Sequence, residues 1–479
     1  MSATLSIGTI SPSEEDLTTQ LKLLRDSHPT TGVAKLLALL KDEKPEWTVS
    51  EKRAKKVLQQ AGLMISATLE GKKSAKAGAT GAKPRKYPVS SMDSKVDAKK
   101  WTEKVSIRHF DAVKGKGLVA TEHIEEGETI WKEDPWIMTA NWSVYSGSVS
   151  GNVCMHCSCP LSLRNAGAIF TCTGCTSPTN QYCNRLCYSR AQASYHPFLC
   201  EGQNPACIPL LKLLRRHEWA SPHALARVTG RLLTAWRNRE SDWEGDWAFF
   251  TALAGWTMDD KYHSEGYVSS SILCAYSNSA HREEITSDMK NLWKKAFEHY
   301  VEAFHQPPTA EGRNKLQHLM KRKSLPAEIV SKLFTYDAFM LNVGRVDVNR
   351  ESHGGVYQLH SHVNHSCTPN VSVLHIDVPG TQGRPPNAPS FTGTPNPSRL
   401  TIWAKRPITP GEELTASYVS PLLGVKERRR ELRQWGIENC QCERCMKEEK
   451  EIVNETGDAQ KPELEDLEGE LRRSFGLGF

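Results

Sequence analysis

The sequence predicts an α+β protein in which a β-rich fold is interrupted twice and then resumes. Three observations predict it. Short β-like runs separated by glycine turns occupy residues 104–140, then return at 356–376 and 400–419. A cysteine-dense stretch fills 154–200, and helix-spaced apolar stripes, such as Leu210, Leu211, Leu213, Leu214 and Trp293, Ala296, Phe297, Tyr300, fill 205–334. At 479 residues the chain exceeds one simple core and needs no disulfides for bulk stability.

Residues 1–65 read as a small helical module. Ser13 with Asp16 resembles a capping box, and Leu17, Leu21 and Leu24 follow at helical spacing. Val33, Leu37 and Leu40 make a second stripe; Ala54, Val57 and Leu58 make a third that Gly62 ends. These stripes are core and carry no chemistry.

Residues 66–103 read as a disordered linker. Its stretch 70–100 holds nine basic against three acidic side chains and few large apolar residues, too few to offset the entropy of ordering. Lys72-Lys73 and Lys83-Pro84-Arg85-Lys86 read either as a nucleic-acid contact or import signal, or as a solvated spacer. The formal balance of +6 is therefore local: the strap 70–100 is itself +6 and the tail 446–479 is −5. No window approaches the ~18 apolar residues of a membrane span, and no secretory signal opens the chain. A soluble intracellular protein follows, in which the 14 cysteines are thiols or metal ligands.

The cysteines pair. Cys154 and Cys157, Cys172 and Cys175, Cys183 and Cys187, then His196 and Cys200 make eight soft ligands, the number two tetrahedral Zn²⁺ ions need. A two-residue gap lets two thiolates of one turn reach one ion, and a three-residue gap does so from one helical turn. With every position filled by protein, such zinc is structural. Cys159 is a spare thiol or a competing ligand. A second group, Cys440, Cys442 and Cys445, lacks a fourth ligand; among Cys159, Cys207, Cys274 and Cys367 we select Cys367, in the polar run Asn364-His365-Ser366-Cys367. That choice staples a distant strand loop to the C-terminal segment. Val378 to Arg399, rich in Pro, Gly, Asn and Ser, reads as an exposed loop.

At these residues the chain resembles the SET–MYND protein lysine methyltransferases. Asn364-His365-Ser366-Cys367-x-Pro369-Asn370, Gly411-Glu-Glu-Leu-Thr-x-x-Tyr418 and the terminal Cys440, Cys442, Cys445 resemble the SET domain and its post-SET zinc motif. Lys114-Gly115-Lys116-Gly117-Leu118 resembles the opening cofactor loop, and the eight-ligand insert resembles a MYND finger. The resemblance implies a SET fold (104–153 and 335–420) split by a MYND-type zinc finger (154–200) and a helical insert (201–334), then a post-SET motif (421–446) and an acidic tail (447–479). The helical module with its basic linker is similar to the fungal branch that methylates the histone H4 tail.

The resemblance implies S-adenosylmethionine and three zinc ions as cofactors. Lys114, Gly115, Lys116, Gly117, Ser361, Asn364, His365 and Tyr418 would bind the methyl donor; Tyr418 would be the catalytic tyrosine, with Phe339 and Trp435 lining the lysine channel. Trp435-Gly436 stands near the family's Tyr-Gly, and a wall without that hydroxyl changes how many methyls are added; mono-methylation is the expected product. The implied partner is a histone tail, with a Pro-rich ligand for the finger, DNA or an import receptor for the basic linker, no membrane, and a nuclear, chromatin-associated location. Non-histone substrates such as ribosomal proteins, or a catalytically weak scaffold, are the alternatives. A DNA-binding zinc protein fits poorly, since the finger's basic residues are only Arg164, Arg185 and Arg190.

Overall fold

The structure, a computed structural model, describes residues 11–27, 33–60, 87–93, 95–111, 114–140, 151–163, 169–175, 180–263, 282–351, 353–375 and 398–452. It divides into two units, Met1–Ala82 and Lys83–Phe479.

The first unit is helical: Glu14–Ser27, Val33–Glu43 and Glu51–Gln60. Ser13 Oγ accepts the Asp16 N–H at 3.0 Å and donates to the Asp16 carboxylate at 2.6 Å, which closes the first turn. Leu17, Leu21, Leu36, Leu40, Ala54 and Leu58 are wholly buried in one core. The expected stripes face inward; Gly62 lies outside the described residues.

In the second unit, strands β1 (Val105–Asp111), β2 (Gly115–Ala120), β3 (Thr129–Glu133), β4 (Ile137–Met138), β5 (Phe170–Thr171), β6 (Gln181–Tyr182), β7 (Gly355–Val356), β8 (Asn364–His365), β9 (Val371–His375), β10 (Leu400–Ala404) and β11 (Glu413–Ala416) form small sheets. One runs β1-β2-β11-β8 and another β3-β10-β9, while β4 pairs with β7. β2 is buried along its whole length because β1 and β11 flank it on both edges. β8 joins β11 in parallel, with Thr415 opposite Asn364 and Ala416 opposite His365. Leu118, Ile130, Trp131, Tyr357, Ile402 and Leu414 are among the side chains that knit these sheets into one core.

A second core unites the cysteine-rich segment with the helices of the insert. Its helices include Ile208–Arg216, Ala220–Asn238, Glu240–Ala252, Arg282–Phe304 and Tyr336–Asn349. The last is capped by Thr335, whose hydroxyl accepts the Ala338 N–H at 3.3 Å. It packs so closely that a Cβ on Gly344 would lie 1.7 Å from the Trp256 carbonyl oxygen, a position only glycine fills.

One expectation needs correction. The linker does not extend to residue 103: Val89 bridges to Gly255, Lys95 pairs with Glu244 at 3.2 Å, and Val96 and Ala98 are buried. The charge count hid these apolar anchors. Residues 61–86, including the four-residue basic run, lie outside the described residues. Residues 443–452 are helical, and Glu448 and Glu449 pair with Arg428 and Arg429. Residues 376–397, most of the expected loop, also lie outside the described residues.

Candidate active site and metal centres

The parallel pairing of β8 with β11 brings the two polar motifs together. Asn364 Nδ2 donates to the Lys116 carbonyl at 3.0 Å and to Glu413 Oε1 at 2.9 Å. The other Glu413 oxygen pairs with Lys114, whose ammonium also lies 4.5 Å from the Phe110 ring centroid. Gly117 sits at the centre of this group. A Cβ there would meet the Phe110 ring at 2.6 Å, Asn364 Nδ2 at 2.8 Å and Glu413 Oε1 at 2.9 Å. The patch offers an aromatic face, an amide, a carboxylate and an ammonium, a donor set that fits a ligand carrying a heteroaromatic ring and an amino acid.

Tyr418 follows β11 directly. Its backbone N–H donates to His365 Nδ1 at 3.1 Å and its hydroxyl donates to the Val363 carbonyl at 2.7 Å. Since Nδ1 accepts, the His365 proton is on Nε2, which faces Cys367 Sγ at 3.3 Å. Burial, with the Arg428 cation nearby, lowers the His365 pKa to about 4, so the ring is neutral. Burial, with Glu351 and Glu413 adding negative charge, pushes the Tyr418 phenol above its ordinary range. Trp435 faces the Tyr418 ring at 5.4 Å.

The loop between these motifs is fixed by Asn370, 1% exposed. It donates to the Glu413 carbonyl at 2.8 Å and Glu412 Oε1 at 2.9 Å, and its Oδ1 accepts the Thr415 N–H at 2.8 Å. Upstream, buried Glu133 accepts the N–H groups of Leu359 and His360 at 2.9 and 3.0 Å, which fixes the turn leading into β8.

The metal-ligating side chains gather into three sets of four: Cys154, Cys157, Cys183 and Cys187; Cys172, Cys175, His196 and Cys200; and Cys367, Cys440, Cys442 and Cys445. The four pairs of the cysteine-rich segment interleave, first with third and second with fourth. Zn–S bonds of about 2.3 Å at tetrahedral angles put neighbouring sulfurs about 3.8 Å apart. Cys157 and Cys183 stand at 3.7 Å, Cys172 and Cys200 at 3.8 Å, and Cys367 and Cys440 at 3.9 Å. These separations fit one ion in each set, and the described cysteines are free of disulfides. The choice of Cys367 as fourth ligand agrees with this geometry; Cys159 and Cys207 stay outside the sets.

Arg428, wholly buried, reaches the third set. Its guanidinium donates to Cys445 Sγ at 3.3 Å and Glu448 at 2.9 Å. Burial works against the cation, but the sulfur and the carboxylate outweigh it and hold it charged. It stands where it would balance the charge of metal-bound thiolates, and sequence reasoning missed it inside the run Lys426-Glu-Arg-Arg-Arg.

The pattern of the SET domain matches residues 115–419, more than half of the chain. The chain belongs to the SET-domain family. It is 26% identical to "Histone-lysine N-methyltransferase SET5" of Mycosarcoma maydis, over 91% of this chain and 89% of that protein. It is 25% identical to the protein of the same name from Scheffersomyces stipitis, over 92% of this chain and 83% of that one. A solved SET domain, that of LSMT bound to lysine and AdoHcy, overlaps at a TM-score of 0.30 and 13% identity, over 72% of this chain and about half, 53%, of that chain; so slight an overlap carries no argument.

Within this SET domain and at its edges the structure brings Lys114, Gly117, Asn364, His365, Tyr418 and Trp435 into connected contact. Gly115, with φ of +71°, makes the turn that opens β2. Lys116 turns away: its side chain is 4% exposed and donates to the Ala252 carbonyl at 3.0 Å, so only its backbone carbonyl faces the patch. Ser361 Oγ donates to the Gln358 carbonyl at 3.1 Å, one turn before β8. Phe339 is not brought to Tyr418. It is 1% exposed inside the helical core, against Tyr300 at 5.1 Å and Phe297 at 5.7 Å, and so corrects the expectation of a channel residue. Its apolar helix face explains its burial without any channel.

Proposed function

We propose that this chain transfers a methyl group from S-adenosylmethionine to a lysine side chain of a histone tail. It is an enzyme of the protein-lysine methyltransferase class, the activity its family and its named relatives share. The observation that carries the reading is the placement of Tyr418, held by its backbone on His365 and by its hydroxyl on the Val363 carbonyl.

The backbone of Lys114 to Gly117, with Ser361, Asn364 and His365, would hold the methyl donor. When bound it supplies an electrophilic sulfonium methyl. A lysine ammonium has a pKa near ~10.4 and must lose a proton before it attacks. The aromatic wall of Trp435 and Tyr418 disfavours the charged form by desolvation. Tyr418 is no base, because its phenol stays protonated; water carries the proton away. With its own proton on Val363, the Tyr418 oxygen turns lone pairs toward the reacting atoms and orients them.

The finer reading is mono-methylation of N-terminal tail lysines of histone H4, with a nuclear, chromatin-associated location. The bulky Trp435 wall supports the single methyl. The segment 154–200 is a MYND-type finger holding two zinc ions and docking a Pro-rich ligand, the terminal set is the third, post-SET zinc, and the basic linker contacts DNA or an import receptor. The test is radiolabelled methyl transfer to core histones and to ribosomal proteins, with wild type beside Tyr418→Phe. Label on histones that falls at least ~100-fold in the variant is expected. Label on ribosomal proteins alone reassigns the substrate, and label on neither leaves a scaffold.

A further inference from the structure

Besides the three thiolate sets, one cluster of ligand atoms contains no sulfur. Glu351, His353 and His375 place a carboxylate oxygen and two imidazole nitrogens within 4.8 Å of one another. His375 ends β9, and the turn that carries Glu351 and His353 is closed by the Glu351 N–H on the Gly355 carbonyl and the Gly354 N–H on the Glu351 carbonyl, both at 2.8 Å.

The hydrogen bonds around the cluster fix the tautomer of His353 and hold Glu351 from behind. Tyr357 donates its hydroxyl proton to the Ser398 carbonyl, so its oxygen accepts from His353 Nε2 at 2.5 Å. His353 Nδ1 is therefore bare. It is buried and has no hydrogen-bond partner among the described residues, and the same holds for His375 Nδ1. Glu351 gives one oxygen to His360 Nε2 at 2.6 Å, and His360 is itself 6% exposed. His353 thus keeps a bare acceptor nitrogen and His375 Nδ1 is without a partner among the described residues, while the far side of His353 and of Glu351 is tied to a buried partner. Metal sites hold their ligands in this way: the second nitrogen of a ligating histidine donates outward, and a ligating carboxylate is hydrogen-bonded from behind.

We propose that Glu351, His353 and His375 form a fourth metal site, of nitrogen–oxygen type, that takes a divalent first-row ion such as Zn²⁺ and leaves a further position to water. Two imidazoles and one carboxylate suit zinc and its neighbours rather than calcium or magnesium. The two rings lie tilted against each other, with centroids 3.3 Å apart and planes 40° from parallel. Ligands of one ion hold their rings farther apart than that, so loading turns one ring outward and ties the 351–355 turn to the end of β9. The site shares no ligand with the thiolate centres and none with the residues proposed to hold the methyl donor.

The test is zinc stoichiometry on the full chain, loaded with excess Zn²⁺ and freed of loose ion by gel filtration. Wild type should hold one more zinc per chain than His375→Ala and than Glu351→Gln, which keeps its size and its hydrogen bond to His360. Cobalt loading supplies the control. The intense thiolate charge-transfer bands should be equal in all three proteins, while the weak bands of a nitrogen–oxygen site should be present in wild type alone. The fourth ion should also dissociate at least tenfold more readily to a chelator than the thiolate-bound ions. Equal zinc content in wild type and either variant, with the thiolate bands intact, overturns the site; so does an extra ion that the double variant His353→Ala/His375→Ala still retains. If His375→Ala loses its thiolate bands through misfolding, Glu351→Gln decides.

Discussion

His365 accepts the backbone N–H of Tyr418 on one ring nitrogen and presents the other to Cys367, a ligand of the third thiolate set. One neutral imidazole thus ties the proposed catalytic tyrosine to a candidate metal centre. His365→Ala should therefore lower kcat at least ~10-fold and also speed metal loss from that centre, since partners behind a ligand are worth 10–100-fold in affinity. Tyr418→Phe should lower kcat alone. Turnover and chelator-release rates on both proteins check this; a histidine variant that moves only one readout breaks the link.

Asn370 makes three hydrogen bonds from a wholly buried position. Asn370→Ala leaves the Thr415 N–H and the Glu413 carbonyl without it, at about 1 kcal/mol per bond. A loss of about 3 kcal/mol in urea unfolding is expected, and a loss under about 1 kcal/mol contradicts the assignment.

Arg428 is the buried countercharge of the third set. Arg428→Met should accelerate chelator release of that ion by at least ~10-fold and leave the ions of the cysteine-rich segment untouched. Arg428→Lys should recover only part of the effect, because one ammonium cannot reproduce the forked guanidinium. Uniform acceleration at all three centres would point instead to global destabilisation.

Two glycines separate backbone strain from site crowding. Gly127 has φ of +78° and nothing within 4 Å of a Cβ, so Gly127→Ala should cost about 1 kcal/mol and leave cofactor affinity unchanged. At Gly117 a methyl meets Phe110, Asn364 and Glu413 at 2.6–2.9 Å. Gly117→Ala should weaken S-adenosylmethionine binding at least ~10-fold by calorimetric titration.

Burial, partly offset by Asp93, lowers the Lys116 pKa from 10.5 to about 8. Between those values the unfolded chain binds the proton and the folded chain has released it, so stability rises with pH across that window. The cost of holding the ammonium is present below pH 8 and is relieved by pH 10.5; a shift of this size corresponds to about 3 kcal/mol. Denaturant titrations of wild type and Lys116→Met from pH 7 to 10 should show wild type gaining on the variant. Parallel curves would disprove the shift.

Much of this was legible in the sequence because ligand spacing and polar motifs are local. The paired cysteines announce themselves as ligands, though which pairs share an ion only the fold shows, and Asn364-His365 and Tyr418 sit in compact runs. What the sequence left dark depends on contacts between distant segments. Nothing near Lys116 says that its ammonium ends on Ala252, and the family resemblance that made Phe339 a channel wall says nothing of the aromatic helices that bury it. Arg428 hides among neighbouring arginines that differ only in burial. The linker boundary failed for a related reason: Val96 and Ala98 are ordinary in composition and decisive in packing. The non-thiolate cluster was invisible, since Glu351, His353 and His375 come from a turn and a strand end without a recognisable spacing.

The interleaving of the first two thiolate sets, and the 73-residue separation of Cys367 from Cys440, bear on how the protein is made. A nascent chain leaving the ribosome cannot complete its first metal centre when Cys154 and Cys157 emerge; it must wait until Cys187 follows. The strand end that carries Tyr418 waits longer still, for the last cysteines of the C-terminal segment. A chain whose synthesis stops before Cys445 would thus hold both interleaved sets of its cysteine-rich segment but not the clasp behind Tyr418.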